Sequence, residues 1–247
     1  MQPSQIFCPM IDLGRLGGVT MVKQIKTLAT IALGLPLWGM SVMAAYVPPQ
    51  DQVPPRTRGG TAGRRTTCDV SSITPIAPIS YLGKTTQGRP TFYWNRTGQG
   101  NVPLEFSLME YLPTTQQLVV LHRTKINSTH NTDRFVMPQD WTELEPGKTY
   151  AWQVVALCGN PSANPYLRAS VQRVSISTKK GARLEDQVKY LAQNGIWYDA
   201  LALAMSSDNR QIGMDLIKDL ATAEQLREPI GMEPEYRHSF LLQTIVP

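Results

Sequence analysis

Between residues 70 and 178, apolar and polar positions alternate in short runs, which is the period of a β-strand. The strongest run is residues 150–158, where every second residue is apolar and would share one face of a strand. Turn residues separate the runs and no helical period occurs among them, so the pattern predicts an antiparallel sandwich of six or seven short strands. The strand signals lie at residues 90–94, 104–108, 118–121, 135–136, 150–158 and 167–177.

A turn sequence before the strongest run refines this prediction. Leu144 opens a Leu-Glu-Pro-Gly segment, and Tyr150 follows its Pro-Gly corner three residues later. This spacing is typical of a tyrosine corner, in which the phenol bonds to the backbone of the crossover. The segment resembles the sixth strand of an immunoglobulin-like or fibronectin type III-like β-sandwich, and Trp94 would be the core tryptophan of an early strand. We predict that Trp94, Leu144, Tyr150 and Trp152 form the structural core of a sandwich over residues 68–180.

After residue 180 the apolar period becomes helical. The spacing predicts helices over residues 184–194, 196–206 and 209–221, followed by an extended tail over 228–247, so the C-terminal α part spans 181–247. The second helix is apolar on almost every side except at Asp199, and such a helix must be covered on several faces. Either the sandwich covers it, or the face of Trp197 and Tyr198, with Asp199, stays open to bind a partner.

The N-terminal region has the pattern of an export signal. Residues 21–44 join two lysines to a short apolar stretch that ends in small residues, which predicts a signal peptide cleaved after Ala44 or Ala45. An uncleaved anchor is the alternative. Residues 1–20 fit no such pattern, and we interpret them as a misannotated extension ahead of a true start at Met21. Residues 45–67 are rich in Pro, Gly and Arg, which predicts a solvated linker or, alternatively, an arm for anionic lipid or acidic polysaccharide.

Cysteine usage fits an exported chain. Cys8 is lost under either interpretation of the start, which leaves Cys68 and Cys158 in an oxidising compartment. An even pair in that setting predicts one disulfide, with two buried free thiols as the alternative. The three histidines show no ligand spacing with these cysteines, so we predict neither a metal site nor a cofactor.

The charge is unevenly distributed along the chain. Residues 45–183 hold 16 Lys and Arg against 8 Asp and Glu, a balance of +8, whereas residues 184–247 hold 5 against 10, a balance of −5. This asymmetry predicts that the acidic helical part docks on the basic sandwich. No dense basic stripe with interleaved aromatic residues is present, so we expect no nucleic-acid partner.

Motifs of catalysis are missing from the sequence. The two Gly-Lys-Thr triplets lack the upstream glycine of a phosphate-binding loop, and no nucleophile elbow or zinc-protease helix occurs. We therefore expect a protein that is not an enzyme, acting as an exported protein-interaction or scaffold module of the cell envelope. The alternative is a carbohydrate-binding module that uses exposed rings such as Tyr81, Tyr93 or Tyr111, and a hydrolase is a third possibility.

The order of the features is more specific than any one of them. An Arg/Gly-rich leader ending in Cys68 precedes PTFYWN, GKTYAWQVVALC, VQRV and GIWYDALALA. In that order they resemble the cyanobacterial exported family called Domain of Unknown Function 928, from about residue 56 to the C-terminus. The resemblance implies a cyanobacterial host, a periplasmic or extracellular location and no assigned activity, and it supplies no catalytic residue.

Overall fold

The computed structural model describes residues 46–50, 54–55, 70–98, 100–128, 130–159, 164–176, 183–233 and 237–246. These residues contain eight strands and four helices. The strands are β1 (Val70–Pro75), β2 (Gly83–Thr85), β3 (Thr91–Gly98), β4 (Val102–Leu112), β5 (Gln117–Ser128), β6 (Thr132–Val136), β7 (Thr149–Ala156) and β8 (Tyr166–Arg173). The helices are α1 (Leu184–Gln193), α2 (Trp197–Met205), α3 (Arg210–Gln225) and α4 (His238–Gln243).

The strands form two sheets, as the alternating pattern predicts. One sheet has the order β1-β3-β6 and the other the order β2-β8-β7-β4-β5. Neighbouring strands are antiparallel except β2 and β8, which pair in parallel. The mainly β class and the C-terminal helical part are therefore confirmed. The parallel pair departs from the prediction, because β2 reaches the sheet edge through a loop rather than through a hairpin.

Aromatic side chains join the two sheets. Phe92 of β3 lies 5.4 Å from Phe106 of β4 and 5.1 Å from Trp152 of β7, measured between ring centroids. Phe135 of β6 stacks on Phe106 at 4.1 Å. These rings come from both sheets, so their contacts form the centre of a shared core, where offset and tilted aromatic pairs stabilise beyond simple burial.

The corner before β7 has the expected hydrogen bond. The backbone N–H of Glu145 donates to the phenol oxygen of Tyr150 over 2.9 Å. Gly147 takes φ +84° at the tip of the corner, a conformation that strains any residue with a Cβ atom. The core residues predicted from the sequence, Trp94, Leu144, Tyr150 and Trp152, all lie in the buried cluster.

The end of the chain is more ordered than the sequence predicts. Helix α3 runs to Gln225, four residues beyond the predicted end, because no Gly or Pro interrupts residues 222–225. The predicted extended tail is wrong, since α4 lies within it, packing on α3 and contacting β1. Only six residues long, α4 depends on this packing rather than on its own propensity.

The helical part docks on the sandwich through apolar contacts. Helix α2 lies against β2 and β3, and one continuous hydrophobic cluster includes residues of both parts. Among the described residues, no salt bridge joins residues 70–176 to residues 183–246. The predicted docking is present, but the charge asymmetry does not hold it together, because burial of apolar surface supplies far more free energy than exposed ion pairs.

The first residues after the predicted cleavage positions belong to this packed region. Tyr46 is buried and its ring meets the Trp197 ring edge-on at 4.9 Å. The backbone N–H of Val47 donates to the carbonyl of Ala192 over 3.1 Å. The prediction of a linker over residues 45–67 is therefore wrong at Tyr46 and Val47, because the Tyr46 ring packs against Trp197 of α2 instead of facing solvent.

Candidate functional site

Helix α2 carries the three residues that the sequence singles out for binding. Trp197 is 0% exposed, and its indole N–H donates to the carbonyl of Ile76 over 3.0 Å. The Tyr198 phenol accepts from the indole N–H of Trp152 over 2.8 Å and donates to the carbonyl of Ser170 over 3.0 Å. Burial raises the pKa of Tyr198. The interpretation of this face as an open partner surface is wrong, because the sandwich covers both rings and satisfies their polar atoms.

Asp199 connects the same helix to the end of β2. Its carboxylate accepts hydrogen bonds from the hydroxyls of Thr85 and Thr86, and from the backbone N–H of Thr86 over 3.0 Å. Burial raises its pKa, and these hydrogen bonds counteract part of that effect. The carboxylate is committed to holding β2 and its following turn, so Asp199 is a structural clamp rather than a binding residue.

A second buried carboxylate, which sequence reasoning missed, clamps the loop between β1 and β2. Glu224 of α3 is 0% exposed and accepts from the backbone N–H groups of Ile79, over 2.9 Å, and Ser80, over 3.1 Å. The Tyr81 phenol donates to the carbonyl of Ala223 over 3.0 Å. A lone glutamate in an amphipathic helix normally faces solvent, so the sequence carries no signal for this role.

The described part of the chain offers none of the ligand sets of metal sites. Within the described residues, no group of three or more His, Cys, Asp or Glu side chains could hold a metal ion. Of the three predicted carbohydrate-facing rings, Tyr81 and Tyr93 are buried, and Tyr111 is half-buried. The expectation of exposed rings is therefore wrong for Tyr81, whose phenol bonds to α3, and for Tyr93, which is 5% exposed and lines a crevice together with Met205 of α2.

A polar crevice runs along β3 and β6. One section has a volume of about 690 Å³ and another about 330 Å³, and both include Thr132. Asparagine, threonine, arginine and histidine side chains line much of it. Its lining residues are Tyr93, Asn95, Arg96, Thr97, Gly98, His130, Asn131, Thr132, Asp133, Arg134, Met205, Thr244 and Ile245.

Strand β5 provides a different kind of surface, an open sheet edge. It ends the five-stranded sheet, and within the described residues only β4 pairs with it. Leu108 pairs with His122 and Met109 with Val120, so Leu121 is an extra residue, a β-bulge. Val119, Val120 and Leu121 are 44%, 46% and 39% exposed. Regular alternation would bury every second residue, whereas here three consecutive apolar side chains reach solvent at a free edge.

The processing and disulfide residues lie partly beyond the described part of the chain. Ala44, Ala45 and Cys68 fall outside the described residues. Cys158 is buried two residues after β7 ends, and its backbone N–H donates to the side-chain oxygen of Asn164 over 2.9 Å. The Cys68–Cys158 bridge therefore stays a prediction, as does cleavage after either alanine. No helix among the described residues combines the length and apolarity needed to span a bilayer.

The chain resembles known proteins to differing degrees in sequence and in structure. A search of curated proteins found no match. Among solved structures, the chain is similar to one titled "Structure of T.fusca AA10A", with 14% sequence identity and a TM-score of 0.30. That similarity covers 40% of this chain and 54% of the other, so the chain spans about half the length of that protein. The family model described as Domain of Unknown Function matches residues 56–227, which include every strand and the first three helices. The chain therefore belongs to the DUF928 family.

Proposed function

We propose that this protein is an exported, non-catalytic interaction module of the cell envelope, periplasmic or extracellular, that binds a partner protein along strand β5. The observation that carries the proposal is the edge of β5, which among the described residues pairs only with β4 and which has three exposed apolar residues. A partner segment in extended conformation would add a strand to the sheet, using backbone hydrogen bonds for affinity and side-chain contacts for specificity. The export part of the proposal is supported by the signal-like sequence of residues 21–44.

The side chains of β5 indicate what the partner segment must contain. Its first half presents Val119, Val120 and Leu121, which an apolar partner residue would cover. Its second half presents Arg123 and Lys125, both exposed. Arg123 lies 3.4 Å from Glu105, whereas Lys125 has no ion pair among the described residues. Residues directly opposite each other in a sheet interact most strongly, so we infer an extended segment with apolar residues at one end and acidic residues at the other.

The bulge and the exposed cations of β5 also limit nonspecific pairing of this strand with other chains. Bulges and exposed cations are devices that protect open edges from random strand addition, and β5 has both. A partner must tolerate the bulge at Leu121 and neutralise the two cations. This requirement favours a dedicated partner over a second copy of the chain, because a second copy brings its own Arg123 and Lys125 into the pairing surface.

The test is selection from a displayed library of extended decapeptides against the purified protein. We expect enriched peptides that combine apolar and acidic residues, and binding that Val120→Lys weakens about tenfold through loss of one apolar contact. Val136→Lys is the matched control, since Val136 is also exposed but lies on β6 in the other sheet. Peptide binding that both variants keep, or no enrichment, would contradict the proposal. Concentration-dependent dimerisation that Val120→Lys abolishes would instead identify a second copy as the occupant.

The carbohydrate-binding alternative has weaker support. The polar crevice offers amide and hydroxyl groups, but its tyrosine, Tyr93, is only 5% exposed and presents no open ring to a sugar. Retention of the protein on envelope polysaccharide, unchanged by Val120→Lys, would favour this alternative over strand addition.

A further inference from the structure

The beginning of the described chain carries an inference about processing. Tyr46 directly follows Ala45, one of the two candidate cleavage residues. Its position is defined by three contacts. The ring packs against Trp197, the next residue bonds to Ala192, and Pro49 lies so close to Gly195 that a Cβ atom there would be 3.1 Å from the proline ring. Gly195 itself has φ +71°, a conformation that favours glycine, and its missing side chain leaves room for Pro49 beside the turn between α1 and α2.

A carboxylate faces the backbone nitrogen at this point. The N–H of Tyr46 donates to Oδ2 of Asp219 over 3.3 Å, which is a long hydrogen bond for an amide. Asp219 lies in the middle of α3 and is half-buried. Among the described residues no cationic side chain pairs with it, and the nearby Asp215 is another carboxylate. The negative charge of a half-buried carboxylate that accepts only one amide hydrogen bond is incompletely balanced.

We propose that the chain is cleaved between Ala45 and Tyr46 and that the α-amino group released on Tyr46 forms an ion pair with Asp219. Hydrolysis adds one water molecule across the Ala45–Tyr46 peptide bond. The C–N bond breaks, a carboxylate forms on Ala45, and the nitrogen of Tyr46 becomes an ammonium group with three donors. The reaction involves no oxidation or reduction, and the host's signal peptidase supplies the catalyst. This inference rests on the export part of the proposed function.

The electrostatics of the site agree with this assignment. In the continuous chain the pKa of Asp219 is raised to about 6: burial raises it most, the hydrogen bond from the Tyr46 N–H lowers it in part, and the neighbouring Asp215 raises it. An ammonium group at the position of the Tyr46 nitrogen would supply the missing positive charge, lowering the pKa of Asp219 and raising that of the α-amino group. Cleavage one residue earlier, after Ala44, would leave an uncharged amide at this position. The proposed ion pair therefore requires cleavage after Ala45 rather than after Ala44.

The test uses the full chain expressed with its own leader in an export-competent host. Intact mass and N-terminal sequencing of the exported protein should identify Tyr46 as the first residue. The rate of reductive methylation of its α-amino group at pH 7 is then measured in the native wild type, in Asp219→Asn and in Asp208→Asn. We expect methylation in the wild type to be about tenfold slower than in Asp219→Asn, since an opposite charge that raises the amine pKa by ~1 unit reduces the reactive free base by that factor. Asp208 is exposed, so Asp208→Asn should behave like the wild type.

Each other outcome has a distinct meaning. A mature chain that begins at Tyr46 but is methylated equally fast in all three proteins would overturn the ion pair and leave export intact. A chain that begins at Ala45 or at a residue after Tyr46 would overturn the assignment of the cleavage site alone. A chain that keeps residues 21–45 in the envelope fraction would overturn this inference alone, whereas one that keeps them and stays in the cytoplasm would overturn both this inference and the exported location.

Discussion

Trp152 and Tyr198 form a buried hydrogen bond between the sandwich and the helical part. The indole N–H of Trp152, in the middle of β7, donates to the phenol oxygen of Tyr198, in the first turn of α2, over 2.8 Å. The phenol in turn donates to the carbonyl of Ser170 on β8. The indole N–H, the phenol and the carbonyl are all buried. Removal of the phenol oxygen would therefore leave the other two groups without a hydrogen-bond partner.

Removing the phenol oxygen should therefore destabilise the fold. We expect Tyr198→Phe to lower the free energy of unfolding by about 1–3 kcal/mol, since the Trp152 N–H and the Ser170 carbonyl lose a buried partner. Urea denaturation measures this change. Tyr111→Phe is the control, because Tyr111 is half-buried and its hydroxyl makes no hydrogen bond to the described residues. Equal stability of the two variants would show that the bond contributes nothing.

The substitution Trp197→Ala tests the role of Trp197, the residue before Tyr198. Trp197 fills space between Tyr46 and the sandwich, so truncation should cost about 3–5 kcal/mol through the lost burial and the cavity that remains. Thermal unfolding gives the loss of stability, and binding of the selected peptide, measured below the melting temperature, should stay at the wild-type affinity. A variant that has a normal melting temperature but no longer binds the peptide would show that Trp197 takes part in binding.

The sequence predicts the strands and the tyrosine corner well because their signals are local. Alternation of side chains along β4 and β7 and the Pro-Gly turn before Tyr150 depend only on neighbouring residues. The docking contacts have no such signal. Asp199 and Glu224 accept buried hydrogen bonds instead of facing solvent. Their donors lie more than 100 positions away in the sequence, so no local pattern indicates them.

Short elements and sheet edges were harder to predict for related reasons. Strand β2 has three residues, too few for an alternating pattern, and its Gly-Lys-Thr sequence also occurs at residues 147–149, where the chain passes from a turn into β7. The apolar run at residues 118–121 predicts part of β5, but only the strand order reveals that this strand lies at an edge. A surface formed by topology therefore cannot be identified from local pattern alone.

The apolar docking contact predicts how the molecule responds to salt. Because no ion pair joins the described residues of the sandwich to those of the helical part, both parts should unfold in one transition at low and at high salt. Differential scanning calorimetry at two NaCl concentrations checks this. Two separate transitions at high salt would mean that the opposite net charges of the two parts hold them together after all.

His238 predicts a dependence of stability on pH. Its ring is buried, and its Nε2 lies 2.9 Å from the carbonyl of Ala77. Burial lowers the pKa of His238, although the nearby carboxylates of Glu224 and Glu228 and the hydrogen bond raise it in part. As the pH falls below about 6.5, the unfolded chain takes up the proton first, so stability is lost with falling pH.

The variant His238→Gln isolates this contribution. Glutamine keeps an N–H donor for Ala77 but does not titrate, so the variant should lose less stability than the wild type between pH 7 and pH 5. Urea denaturation at several pH values gives both curves. The same loss in both proteins would show that His238 is not responsible.

Amide hydrogen exchange tests the proposed strand addition most directly. The backbone N–H groups of β5 that point away from β4 have no partner in the described part of the chain, so a bound extended peptide should slow their exchange. The exchange rates of residues 117–125 are measured with and without the selected peptide, and those of β6, Thr132–Val136, serve as the internal reference. The proposed strand addition predicts slower exchange in β5 and unchanged exchange in β6. Unchanged exchange in β5 with the peptide bound, or slower exchange along the crevice at β3 and β6, would contradict it.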